Sequence, residues 1–284
     1  MAQRNQPPQQ QNPPGSTEQM RPEPRDSMED YEGRGLLADR RALITGGDSG
    51  IGRAVAVAFA KEGADVCIAY LEEHEDAKRT AELVRAQGRR CELVPGDLGR
   101  AEQCRAAVDE TVRAFGGLDI LVNNVATQWP VESPEELTEE QWMRTFDVNI
   151  HSYYRVTAAA LAHLGEGDVI VNTGSVNGLR GNKSLIDYSA TKGAVNAWTY
   201  SMAQALTPRG IRINCVAPGP VWTPLIPSTF PEEKVEGFGQ QVPMKRPAQP
   251  DELAPSFVFL ASNRLSSYYT GEVIAALGGE TMPG

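Results

Sequence analysis

The chain has 284 residues, a formal net charge of −10 and a sequence pI near 4.9. That balance excludes nucleic acid and anionic surfaces as main partners. No apolar run approaches the ~20 residues of a membrane span, so no membrane role is expected. The first residues, MAQRNQPPQQ, carry no apolar stretch, which argues against a secretory signal and for a cytoplasmic protein. Cys67, Cys91, Cys104 and Cys215 match no metal or redox spacing, and His74, His151 and His163 are scattered. No metal site is expected from them.

Residues 1 to about 38 are rich in Gln and Pro, as in QPPQQQNPPG and RPEPR, and nearly free of aliphatics until Leu36. Such a segment buries too little apolar surface to offset its ordering entropy. It is expected to be an arm, largely disordered or draped on a neighbouring subunit, with Tyr31, Leu36 and Leu37 as anchors. Residues 39–284 then form one domain. Short apolar strands (RALIT, ADVCIAY, CELVPG, LDILVNN, DVIVNT, IRINCVA and EVIAAL) alternate there with stretches of helical periodicity such as EDAKRTAELVRAQG. Strands apolar on both faces, joined by helices, predict a single α/β domain with a doubly wound, seven-stranded parallel sheet flanked by helices on both faces.

The first strand runs into TGGDSGIG, where Gly46, Gly50 and Gly52 fall at a strand-to-helix turn. Glycine lets backbone approach a diphosphate, and the following helix offers free N–H groups and a positive dipole end. The context of a first βα unit makes this a nucleotide-binding turn. Its Gly-x-x-x-Gly-x-Gly spacing resembles the short-chain dehydrogenase/reductase family, a Rossmann-type fold. The resemblance extends over residues 41 to about 280, and with the arm included the chain resembles a bacterial subgroup of general stress-type oxidoreductases or aldehyde reductases.

The family pattern is found again at Ser175 in NTGSVNG and at Tyr188 and Lys192 in YSATK. Tyr188 and Lys192 are four apart on an expected helix and share a face. A neighbouring ammonium favours phenolate over phenol, so Tyr188 can exchange a proton with a substrate oxygen while Ser175 holds that oxygen. The resemblance adds a fourth residue, Asn149 in FDVNI, as the holder of a water that relays protons to the lysine. It also implies that the cofactor is held by Gly46, Asp48, Ser49, Gly50, Ile51 and Gly52 at the turn. Further contacts would come from Tyr70, Asp97, Leu98, Asn123, Val125, Tyr188, Lys192, Pro218, Gly219, Val221 and Thr223.

The residues after the second strand favour NAD slightly over NADP. Glu72, Glu73, Glu75 and Asp76 cluster there and would repel a 2′-phosphate, and dual use stays open. Gln128, Asn177 and Trp222 are expected beside Ser175 in the substrate pocket, with a lid at about 222–245. The implied function is hydride transfer between NAD or NADP and a small aldehyde, ketone, alcohol or sugar, carried out by a homotetramer. The alternatives are a dinucleotide-sensing regulatory protein on the same fold and a reductase of carrier-bound acyl groups.

Overall fold

The computed structural model describes residues 6–281; the first five residues of the expected arm and the last three of the domain lie outside them. Seven strands form one sheet: β1 (Arg41–Thr45), β2 (Asp65–Tyr70), β3 (Cys91–Pro95), β4 (Ile120–Asn123), β5 (Val169–Thr173), β6 (Arg212–Pro218) and β7 (Val273–Ala276). Every pairing is parallel, in the order β3-β2-β1-β4-β5-β6-β7. The helices are α1 (Gly50–Lys61), α2 (His74–Arg85), α3 (Ala101–Phe115), α4 (Glu139–Phe146), α5 (Ser152–Ala160), α6 (Asn177–Arg180), α7 (Ile186–Leu206), α8 (Leu225–Thr229), α9 (Glu232–Glu236), α10 (Pro250–Ala261) and α11 (Asn263–Ser266).

The central strands are buried on both faces because each face has its own core. One joins Ile44, Ile68 and Val122 to Val55, Phe59 and Phe257 of α1 and α10. The other joins Leu43, Leu121 and Ile170 to Val108, Val156 and Leu206 of α3, α5 and α7. Strand order reverses between β1 and β4, and a crevice opens there beyond the carboxyl ends of the strands. Among the described residues no helix is long and apolar enough to cross a membrane.

Within the chain, residues 6–38 of the arm lie along their own domain. Met20 and Met28, which aliphatic counting passed over, are buried, as is Leu37, and Tyr31 and Leu36 pack on the larger core. Polar side chains of the domain satisfy the arm's backbone: Thr17 N–H donates to Asp76, Met28 N–H to Asp251, and Arg34 and Leu36 N–H to Glu62. These bonds, together with the few buried apolar anchors, hold the arm in place.

Candidate functional site

A cavity of about 560 Å³ occupies the crevice. Its floor is the turn after β1, where Gly46, Asp48, Ser49, Gly50 and Ile51 line the space. Gly50 has φ +52°, and a Cβ there would lie 2.9 Å from Thr223 Cγ2. Gly52 does not line the cavity; a Cβ on it would sit 1.8 Å from the Gly46 carbonyl oxygen, so it serves the close packing of turn on helix. The first turn of α1 points N–H groups without helical partners at this floor. A bare turn rimmed by backbone donors fits the diphosphate of a nicotinamide dinucleotide.

Tyr70, Asp97 and Leu98 line one end of the cavity, and Val125, Pro218, Gly219, Val221 and Thr223 another part of its wall. The Tyr70 hydroxyl meets His74 Nδ1 at 3.0 Å, and Asp97 accepts from Arg144 Nη1 at 2.8 Å. Glu72 and Glu73 also face this end. Burial, helped by the Asp48 carboxylate, pushes Glu73 up to about 6, and burial raises Asp48 as well.

Ser175, Tyr188 and Lys192 share one wall. Both residues of the i, i+4 pair on α7 are buried, with Lys192 Nζ 5.6 Å from the centroid of the Tyr188 ring. The ammonium donates to the Thr173 carbonyl at 2.7 Å and to the Tyr153 hydroxyl at 3.3 Å. Burial lowers Lys192 from 10.5 to about 8. Burial also raises Tyr188 above its ordinary value, with the Ser175 hydroxyl pulling the other way. This differs from the lowering expected from a neighbouring ammonium: Lys192 aims at Thr173 and Tyr153, and the dry surroundings penalise the phenolate.

Asn149 lies behind this wall, in a π-helical turn from Asp147 to His151 that joins α4 to α5. The wide turn presents its side chain to two elements at once: Asn149 Oδ1 accepts from Thr127 N–H at 2.8 Å, and Nδ2 donates to the Thr127 carbonyl and to Thr191 Oγ1. Gln128 and Asn177 line the cavity, Gln128 donating to Thr229 Oγ1.

Two expected residues are elsewhere. Asn123 is buried in the interior, donating to Thr157 and Asn172; its neighbour Asn124 lines the cavity and ties the Gly46 carbonyl to Thr173. Trp222 is fully buried with Met20, Ile226 and Val235, and its indole N–H donates to the Pro22 carbonyl of the arm. The sequence reading missed Tyr153, whose signal was its position four residues after Asn149. It also missed Pro13, Pro14 and Gly15, which line the cavity and carried no signal in a low-complexity stretch.

The family described as enoyl-(acyl carrier protein) reductase matches residues 46–281. General stress protein 39 of Bacillus subtilis is 54% identical over 266 residues, 94% of this chain and 93% of that protein. NADPH-dependent aldehyde reductase 1, chloroplastic, of Arabidopsis thaliana is 49% identical over 94% of each chain. A solved short chain dehydrogenase from Burkholderia cenocepacia J2315, in complex with NADP, superposes with a TM-score of 0.81 at 34% identity, covering 86% of this chain and 98% of that one. The chain therefore belongs to the short-chain dehydrogenase/reductase family of NAD(P)-dependent oxidoreductases.

Proposed function

We propose that this chain reduces the carbonyl of a small aldehyde, ketone or sugar, and runs the reverse oxidation, with Tyr188 as general acid and base. The observation that carries this is the meeting of Ser175, Tyr188 and Lys192 on the cavity wall next to the glycine turn. The nicotinamide, when bound, supplies or accepts the hydride. Tyr188 is kept protonated by burial, which suits proton donation to a carbonyl oxygen and hence reduction. Ser175 hydrogen-bonds the same oxygen and orients it. Lys192 holds the nucleotide's ribose hydroxyls and favours the phenolate formed after proton transfer. Asn149 keeps α7 and the loop after β4 in register through Thr191 and Thr127. Gln128 and Asn177 offer the polar contacts for substrate.

The dinucleotide would rest on the turn at Gly46–Gly52 and along Tyr70, Asp97, Leu98 and Val125. Pro218, Gly219, Val221 and Thr223 would flank its nicotinamide half. Glu72 and Glu73 weigh toward NAD, whereas a relative 49% identical is named for NADPH, so both nucleotides belong in the assay. The same reading places a homotetramer in the cytoplasm.

The test is Tyr188→Phe, assayed on an aldehyde panel with NADH and NADPH. It removes only the proton carrier, so turnover falls at least ~10²–10⁴-fold while nucleotide binding stays near that of the parent. Turnover close to the parent's on any accepted substrate overturns the mechanism.

A further inference from the structure

The arm crosses the cavity in which the proposed nucleotide lies. Gly15, with φ +89°, packs so closely on the lid that a Cβ there would lie 2.7 Å from the Pro224 carbonyl oxygen. Gln11 N–H donates to the Pro227 carbonyl at 2.8 Å. On the far side Thr17 N–H reaches Asp76 Oδ2 of α2 at 3.0 Å. Between these two anchorages Pro13, Pro14 and Gly15 line the cavity.

A second tie runs beneath. Arg53, 3% exposed, follows the glycine turn directly. Its guanidinium donates twice to the Asp48 carbonyl of that turn, at 2.9 and 3.1 Å, and to Thr80 Oγ1 at 3.0 Å. It pairs with Asp76 at 2.6 Å and with the arm's Asp26, itself 5% exposed, at 3.2 Å. One buried cation thus connects the arm, the phosphate turn and α2.

We propose that the arm is a strap of the nucleotide site: residues 13–17 close over the bound dinucleotide, and Asp26 acts through Arg53 as a positioning residue for the phosphate turn. The proposal rests on the nucleotide occupying this cavity. A turn at Pro13–Pro14, followed by Gly15, carries the arm from the Pro227 contact to Asp76 on α2 in few residues. A strap across an otherwise open mouth slows escape of the ligand beneath it, so its contribution falls mainly on the dissociation rate.

The test uses the full chain with two substitutions away from the reacting groups. Gly15→Val forces the strap off Pro224, and Asp26→Ala cuts the tie while Arg53 keeps Asp76. NADH and NADPH binding is followed by fluorescence titration and stopped-flow dissociation, beside kcat at saturating nucleotide and the melting temperature. The expected result is a roughly tenfold rise in dissociation constant in each variant, carried by faster release and larger than any change in kcat. A nucleotide affinity unchanged in both variants overturns the proposal, whatever the melting temperature does, because the arm is then scaffold alone. If only one variant weakens binding, the half of the proposal that the other tests is overturned. If the intact chain binds neither nucleotide, the functional reading itself falls, which the parent titration shows separately.

Discussion

At the scale of single residues, Lys192 is a charge held in dry surroundings. It is a cation enclosed among Thr173, Tyr153 and Tyr188, and its folded pKa of about 8 lies below the ordinary 10.5. The folded chain therefore binds this proton less well than the unfolded chain. Its contribution to stability is fully present above about pH 10.5 and is lost as pH falls through about 8. Relative to Lys192→Met, the parent should lose about 3 kcal/mol between these limits and nothing further below them. Urea unfolding of both chains near pH 7 and near pH 10.5 measures this, and parallel stability curves would show that the ammonium is not desolvated.

At the scale of elements, the arm and lid hold each other. Trp222, Met20, Ile226 and Val235 form a small core of their own, with Phe230 and Phe238 packed against it, apart from the two sheet faces. Met20 of the arm is a member of this cluster, so the position of the segment from Trp222 to Phe238 depends on the arm. Trp222→Ala should destabilise the chain by about 3–5 kcal/mol, the usual cost of emptying a fully buried large aromatic site. Trp222→Phe should cost less, losing chiefly the bond to the Pro22 carbonyl, about 1 kcal/mol. Denaturant titration compares the two. A loss under about 1 kcal/mol for the alanine variant would mean that arm and lid separate without consequence, and the strap would lose its anchor.

At the scale of the whole molecule, apolar surface is left uncovered on one side of the sheet. Tyr154 on α5 meets Trp198 on α7 edge-on, with ring centroids 6.0 Å apart, and Tyr154 and Tyr200 stay largely exposed. The last strand, β7, forms the sheet's edge and is only half-buried along its apolar length, and Tyr268 beside it is 98% exposed. Patches of this kind mark interfaces between identical copies. Light scattering at micromolar concentration should give four times the chain's 30.8 kDa. Joint Tyr154→Glu and Trp198→Glu changes should reduce that mass. A parent chain of monomeric mass overturns the tetramer.

What the sequence determined by itself was the part governed by local spacing. Periodicity located all seven strands, the glycine turn located the floor of the cavity, and the i, i+4 spacing put Tyr188 and Lys192 on one face of α7, because backbone geometry acts over a few residues. Tertiary structure decided which way side chains faced at element ends. Asn123 is the last residue of β4 and turns inward to Thr157 and Asn172, and Asn124, one residue on, turns to the cavity. A one-residue change of face is invisible to composition yet reverses burial. Tertiary structure also placed Trp222 beneath the arm and the arm across the cavity. Those positions come from partners 200 residues apart in the case of Trp222 and Pro22, and from backbone groups meeting distant carboxylates, which no local pattern encodes.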